Sequence, residues 1–187
     1  GDGGHTEFIL KNTGPKTKVL GIDRDLSAIE RARERLQPFR DRGIFAHGSL
    51  ENLRDLAEQS GVTKVNGLLL DFGVSSPQLD APERGFSIRR DGPLDMRMDN
   101  TQTTTAANLL EKLKDVELIS IIKNFGEERF AKRIVRAIRR EQEERSIVTT
   151  SHFAEIISRV VRSPKHSRIH PATKTFQALR IAVNNEL

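Results

Sequence analysis

The sequence predicts an α/β fold in which a parallel sheet carries an inserted helical lobe. In the first part of the chain, short apolar runs recur between helical patterns, which is typical of parallel strands covered on both faces. After about residue 100 only helical patterns follow, so the alternation stops. A chain of 187 residues can bury one ordinary core, or one core with a small lobe.

The first half of the chain supplies the predicted sheet domain. A glycine-rich turn precedes a helix at about 5–12. The last apolar run, 65–70 (VNGLLL), shows almost no polar alternation, which predicts a strand buried on both faces. The remaining predicted elements are strands at 17–22 and 43–46 and helices at 26–37 and 50–60.

The second half begins with an irregular segment. Residues 71–102 contain six Pro or Gly residues and no clear period, and a loop of this length is usually functional or disordered. Helices then follow at about 103–113, 115–124, 127–144 and 150–161. We expect 173–187 to be a helix that returns to the sheet. The predicted domains are therefore 1–99 with 168–187 for the sheet, and 100–167 for the inserted helices.

The composition excludes several classes of protein. A hydrophobic fraction of 36% without a long apolar run argues against a membrane span, and we expect a cytoplasmic protein. The absence of Cys removes disulfides, thiolate nucleophiles and zinc–thiolate sites. His166 and His170 have a metal-like spacing but lack further ligands, so no metal is expected. Because the chain starts inside a glycine loop without Met, we expect a piece that lacks both ends.

The charge distribution favours a polyanionic partner. The formal net charge is +5 and the pI is about 9.8. Two basic segments stand out. The segment 162–185 contains basic residues and no acid, and either contacts nucleic acid or is a solvated loop and helix. The segment 129–145 is flanked by Glu residues, so ion pairs within the helix are sufficient to explain much of its charge, with RNA contact at exposed Arg residues as the alternative.

The glycine turn has the spacing of a nucleotide-binding site. Gly3 and Gly4 precede the first helix, and Asp23 ends the next strand twenty residues after Gly3. In such folds a glycine turn lets the backbone approach the ligand, and the acid accepts hydrogen bonds from ribose hydroxyls. The helix N-terminus would suit a carboxylate. An ordinary turn remains the alternative, and Asp25 either competes for the ribose or caps the next helix.

Asp71 closes the apolar run 65–70, where ligands bind in open α/β sheets. The loop that follows it, Phe72–Gln78, is rich in small and hydrogen-bonding residues. The alternative interpretation is that the acid merely caps the loop.

Four stretches resemble one known family. They are GDGGH (1–5), DFGVSSPQLDAPERGFSIRRDGPLDMRMD (71–99), NFGEERFAKRIVRAI (124–138) and HPATKTFQALRIAVNNEL (170–187). In this order they resemble the bacterial 16S rRNA (cytosine-N4)-methyltransferase family, RsmH or MraW. The resemblance implies a Rossmann-like class I methyltransferase sheet, truncated at both ends. It also implies S-adenosylmethionine as cofactor and methyl transfer to N4 of a cytosine in the decoding centre of 16S rRNA in the small ribosomal subunit.

The resemblance also implies residue roles. Gly3, Gly4 and His5 would contact the methionyl end of the cofactor and Asp23 its ribose. Asp71 and Gln78 would lie on the adenine side or at the methyl-transfer pocket. Leu50 occupies a position where relatives often have Phe beside the adenine, so it keeps apolar packing but loses aromatic stacking.

The chemistry adds a hypothesis about catalysis. A cytosine N4 amine is a poor nucleophile, so it must be oriented and must donate hydrogen bonds to acceptors as charge develops. We expect Asp71, Ser75 and Ser76 to supply these acceptors, in a loop that resembles the Pro-containing catalytic loop of amino-methyltransferases. The expected RNA-binding residues are Asp95, Arg97, Arg168, His170, Lys174 and Arg180, which lie in the 71–102 segment and in the basic tail.

Three alternatives stay open at this level. Asp95 and Arg97 could simply pair with each other and fold their loop. A dehydrogenase would share the glycine turn and the acid, although the 71–99 loop and the basic tail argue against it. A non-catalytic RNA-binding module is the other alternative. The sequence does not indicate the oligomeric state.

Overall fold

The computed structural model describes residues 1–161 and 169–186. The chain divides into two compact units. The sheet unit comprises Gly1–Ser75 with Met98–Asn100, and the helical unit comprises Ser76–Arg97 with Thr101–Leu187.

The sheet unit is built on two parallel strands. Strand β1 (Val19–Asp23) pairs with β2 (Gly43–His47), and Asp23 lies opposite His47 in the register. The helices of the unit are α1 (Gly4–Lys11), α2 (Leu26–Arg35) and α3 (Leu53–Gln59). The small core contains Leu10, Ala28, Ile29, Ala32 and Leu36. The predicted α/β character and the parallel pairing are therefore confirmed.

The predicted strand at 65–70 is not formed. Within the residues described, the sheet contains β1 and β2 alone. The apolar side chains of this segment are solvent-exposed, for example Leu68 at 65% and Leu69 at 60%. An apolar run predicts burial, but a strand also needs a neighbour that accepts and donates its backbone hydrogen bonds. The sequence pattern contains no information about that neighbour.

The helical unit follows the predicted helices closely. The bounds are α4 (Ser76–Asp80), α5 (Ala106–Lys112), α6 (Asp115–Asn124), α7 (Ala131–Glu144), α8 (Thr150–Val160) and α9 (Thr173–Asn184). Its core includes Leu110, Leu118, Ile122, Ile134, Ile138, Phe153, Ile157 and Leu179. No helix in the described ranges combines the length and apolarity needed to cross a membrane.

Helix α9 packs against α5 and α6, whereas the sequence predicted that it returns to the sheet. Its ring of Phe176 lies 5.4 Å from that of Phe153, centroid to centroid. Near its end, the buried side-chain amide of Asn184 donates to the carbonyl of Met96 at 2.7 Å. The apolar face of α9 thus has helical partners. The predicted division into a sheet domain and an inserted domain stays a prediction.

The irregular segment also belongs largely to the helical unit. Phe86, Leu94 and Met96 are buried in it. Gly92 exchanges hydrogen bonds with Thr150: the Thr150 N–H donates to the Gly92 carbonyl at 2.9 Å, and the Gly92 N–H donates to the Thr150 hydroxyl at 3.1 Å. The segment is therefore packed against the start of α8 and is not a free loop.

Candidate functional site

Asp23 ends β1 and Asp25 follows it, and the structure separates their roles. Asp25 is the N-cap of α2 and is 2% exposed. Its Oδ1 accepts from the Ser27 N–H at 3.0 Å and from the Ser27 hydroxyl at 2.6 Å. Asp23 keeps a side chain that is 24% exposed, and its Oδ1 is oriented by the Asp25 N–H at 2.8 Å. Asp25 is thus occupied as a helix cap, and Asp23 is the carboxylate that a ligand could reach.

The glycine loop lies beside Asp23 and leads into α1. Gly3 has a left-handed φ of 78°, and a Cβ there would lie 3.0 Å from Leu36 Cδ1 and 3.2 Å from the Cβ of Ala32. Both the backbone conformation and the close packing therefore require glycine. The loop is anchored by Asp2, whose Oδ1 accepts a hydrogen bond from Arg31 Nε at 2.8 Å.

The N-terminus of α1 carries no side-chain cap in the part of the chain that the structure describes. The first N–H groups of a helix lack acceptors within the helix and carry the positive end of its dipole. An uncapped terminus of this kind can bind an anionic group such as a carboxylate.

His5, in the first turn of α1, approaches Asp71. The distance from His5 Nδ1 to Asp71 Oδ2 is 3.4 Å, and the side chains are 70% and 73% exposed. The first turn of α1 therefore contacts Asp71, one of the acids that the sequence singled out, through His5.

Leu50 lies just beyond β2, as Asp23 ends β1. It begins the short 3-10 helix Leu50–Asn52, and Ser49 is the N-cap of that helix. Its side chain is 39% exposed. Because the strands are parallel, residues that follow their carboxyl ends share one edge of the sheet. That edge thus carries one carboxylate and one apolar side chain.

The remaining predicted residues of the 71–78 loop differ in exposure. Ser75 is half-buried, whereas Ser76 is exposed and begins α4. Gln78 is 5% exposed and is buried in the helical unit.

Asp95 and Arg97 form a two-point ion pair within the helical unit. Arg97 Nε and Nη2 each donate to a different oxygen of Asp95 at 2.7 Å, and Arg97 Nη1 donates to the Gln102 carbonyl at 2.5 Å. Between them, Met96 is buried with a left-handed φ of 63°. The pairing interpretation therefore describes this geometry, and RNA binding by the two residues stays a prediction.

The predicted basic tail is largely engaged in internal contacts. Arg180 donates to both oxygens of Glu186, at 2.9 and 3.0 Å. Lys174 donates to the Glu127 carbonyl at 3.0 Å, and His170 Nδ1 accepts from the Ala172 N–H at 3.1 Å. Arg168 lies outside the described residues. The pattern of segment 162–185 did not predict the partner of Arg180, because Glu186 lies just beyond that segment.

One of the ion pairs expected within segment 129–145 forms, between Glu141 and Arg145 at 2.9 Å. Glu141 also pairs with His152 at 2.7 Å, and the hydrogen bond from His152 is the main cause that lowers the Glu141 pKa. Glu128, which is 4% exposed, accepts from the Phe130 N–H at 2.8 Å. Most of the exposed α7 cations therefore form no ion pair with Glu128 or Glu141. The sequence pattern alone could not show whether the charge of α7 is neutralised by acids.

A further acid fixes the irregular segment to α8. Asp91 Oδ1 accepts from the Ser151 N–H at 3.0 Å, and hydrogen bonds from Ser151 lower the pKa of Asp91. Among the described residues, no group of three or more His, Asp or Glu side chains could hold a metal ion.

The whole chain is similar to known methylases. Proteins named "Ribosomal RNA small subunit methyltransferase H" match over its full length, with 50% identity in Trichlorobacter lovleyi, 47% in Persephonella marina and 43% in Clostridium botulinum. The chain spans 60%, 64% and 60% of the length of these three relatives.

The glycine loop at the sheet edge, together with these similarities, indicates that the protein is a methylase. Residues 1–187 match one family along their whole length. The chain belongs to the MraW methylase family.

Proposed function

We propose that this chain belongs to an S-adenosylmethionine-dependent methyltransferase that methylates the exocyclic N4 of a cytosine in the decoding centre of 16S rRNA, in the cytoplasm. The observation that carries the proposal is the family match over residues 1–187. Relatives with 43 to 50% identity, named as small-subunit rRNA methyltransferases, support the substrate class.

The residues at the sheet edge fit such a cofactor. The uncapped N-terminus of α1, at Gly3, Gly4 and His5, offers N–H donors for a carboxylate. The accessible carboxylate of Asp23 offers acceptors for two ribose hydroxyls. Leu50 adds apolar surface beside the same edge. S-adenosylmethionine would supply an electrophilic methyl group on its sulfonium.

The proposed work of the protein is to orient the amine. Asp71, Ser75 and Ser76 would accept hydrogen bonds from the N4 protons, so that the lone pair points at the methyl carbon. His5, 3.4 Å from Asp71, would hold that carboxylate in place. Gln78, buried near the start of α4, is proposed to contribute on the adenine side.

The target base must leave its stack to react, which favours a single-stranded or flipped nucleotide. The inserted helices are proposed to recognise this RNA. His170, Lys174 and Arg168, which follow the inserted helices in the chain, are proposed as further contacts. Asp95, Arg97 and Arg180 are also proposed to contribute to RNA binding. Because they form internal ion pairs, they are better suited to shape the binding surface than to bind phosphate.

The test uses the full-length protein with methyl-labelled S-adenosylmethionine and small ribosomal subunits. Nuclease digestion and mass spectrometry should find the label in N4-methylcytidine. Label at another atom or nucleotide would contradict the N4 assignment. No transfer, with RNA binding retained, would favour a non-catalytic RNA-binding module.

A calorimetric titration addresses the dehydrogenase alternative. We expect S-adenosylmethionine to bind and NAD not to bind. Binding of NAD alone would overturn the proposed function.

A further inference from the structure

Helix α7 carries a row of basic side chains on the side opposite its core contacts. Its buried residues are Ala131, Ile134, Val135 and Ile138. At 100° per residue, Lys132, Arg133, Arg136 and Arg140 fall within about 100° of one another, on the opposite side of the axis. All four are exposed, as is Arg129 just before the helix. We call these five residues the α7 cationic face, and from Lys132 to Arg140 it extends for about 12 Å.

This face is not neutralised by the protein. The sequence from 129 to 140 contains no acid. Within the ranges that the structure describes, none of the five cations forms an ion pair with a carboxylate. Cations that lie off the face behave differently, because Arg139 pairs with Asp115 at 2.7 Å and Arg145 pairs with Glu141 at 2.9 Å.

Two of the nearby acids are used elsewhere, and Glu143 and Glu144 are exposed in the last turn of α7. Glu128 faces inward and accepts from the backbone N–H of Phe130, and Glu141 is shared among His152, Arg145 and Arg159. Like charges on successive turns repel each other. An external polyanion would remove this repulsion.

Two of the guanidinium groups are oriented by an aromatic ring. The guanidinium carbon of Arg129 lies 4.6 Å from the centre of the Phe130 ring, and that of Arg133 lies 5.3 Å from it. Stacking on a ring restricts a guanidinium, and its planar fork donates two parallel hydrogen bonds to a phosphate. The face therefore combines net charge with ordered phosphate donors.

We propose that the α7 cationic face binds the sugar–phosphate backbone of the RNA substrate. The proposal rests on the proposed function, which supplies an RNA substrate. Four of the five residues are arginine, the residue best suited to two-point phosphate recognition. Contacts of this kind fix the position of the RNA and carry no sequence information.

The experiment measures binding of the full-length protein to a fluorescent RNA hairpin with a single-stranded loop, over a series of KCl concentrations. The K132Q/R136Q variant removes two cations that make no internal ion pair. Its plot of log K against log salt should flatten by about 1.4 to 1.8. The control, K16Q/K112Q, removes the same charge from exposed positions off α7 and should keep the wild-type slope.

A second variant tests the stacked arginine. R133K keeps the charge but loses the planar group, so it should retain the wild-type slope while binding more weakly. A melting temperature equal to that of the wild type verifies that each variant is folded.

An unchanged slope in folded K132Q/R136Q would overturn the proposal, as would an equal flattening in K16Q/K112Q. Binding to poly-glutamate is measured in parallel. If K132Q/R136Q loses poly-glutamate binding but keeps RNA binding, the proposal is overturned in favour of an acidic protein partner. Methyl transfer is measured separately. Transfer by the wild type with unchanged slopes would reject this surface alone, whereas flattened slopes without any transfer would reject the proposed function alone.

Discussion

His5 Nδ1 lies 3.4 Å from Asp71 Oδ2, so the first turn of α1 contacts the acid that follows the apolar run 65–70. Because these side chains are 70% and 73% exposed, the contact adds little to the stability of the fold. The role proposed for this contact is to orient the Asp71 carboxylate.

We expect Asp71→Ala to reduce methyl transfer by the full-length protein roughly 10²- to 10³-fold, because a positioned hydrogen-bonding group is lost. The melting temperature should not change, since the side chain is exposed. His5→Ala should give a smaller loss. Asp41→Ala, at an aspartate whose side chain is 93% exposed, is the control and should be fully active. Full activity of Asp71→Ala would remove Asp71 from catalysis.

The two aspartates at the end of β1, Asp23 and Asp25, should respond differently to substitution. Asp25→Ala removes the cap of α2 and should destabilise the chain by about 1 kcal/mol. Asp23→Asn should leave the unfolding midpoint nearly unchanged and weaken S-adenosylmethionine binding. Urea unfolding and calorimetry measure the two effects. Weaker S-adenosylmethionine binding in Asp25→Ala, with unchanged binding in Asp23→Asn, would show that Asp25 contacts the ligand.

Gly3 and Gly4 provide a matched pair. Gly3→Ala places a side chain at φ 78° and against Leu36, which should cost on the order of 1–2 kcal/mol. At Gly4 a Cβ meets only Arg35 Nη1, at an ordinary 3.6 Å. Gly4→Ala should therefore be as stable as the wild type or slightly more stable. Equal stability of both variants in urea unfolding would contradict the packing argument.

Gly92 should tolerate no side chain. A Cβ there would lie 1.9 Å from the carbonyl oxygen of Pro82, so Gly92→Ala should destabilise the helical unit by about 3 kcal/mol. Gly67→Ala, where a Cβ meets nothing within 4 Å, is the control. Hydrogen exchange at the start of α8 provides a local readout, and unchanged protection there in Gly92→Ala would contradict the expectation.

The acid stability of the helical unit should depend on Glu141. The hydrogen bond from His152, followed by that from Arg145, lowers the pKa of Glu141 below its ordinary value of 4.5. The unfolded chain therefore takes up this proton at a higher pH than the folded chain does. The resulting stabilisation is complete above pH 4.5 and is lost as the pH falls through the folded-state pKa.

Glu141→Gln should consequently lower the free energy of unfolding at neutral pH, with a difference from wild type that shrinks in acid. Glu144→Gln, at an exposed position in the last turn of α7, is the control and should follow the wild-type curve. Urea unfolding from pH 3 to pH 7 measures both. A difference that is independent of pH would rule out titration of Glu141 as the cause.

The sequence predicted elements wherever local pattern determines structure. The helix at 150–161 was recognisable because Phe153, Ile156 and Ile157 form one apolar stripe, and all three are buried. Asp23 was recognisable because it ends a short apolar run, and it does end β1.

Features that depend on distant partners could not be predicted. The run 65–70 has the composition of a buried strand but is exposed, because pairing is not encoded in composition. The neutralisation of Arg180 by Glu186 and the lack of it on α7 depend on side-chain directions in the folded helices. A charge count along the chain cannot distinguish these cases.

The hydrogen bond from Asn184 to the carbonyl of Met96 joins residues that are 88 positions apart. During synthesis at about 5–20 residues per second, the segment around Met96 would leave the ribosome roughly 4–18 seconds before Asn184 does. Until then its apolar side chains have no α9 to cover them. The helical unit therefore has a non-local closing step, so we expect it to fold after α9 is made and more slowly than bundles with local contacts.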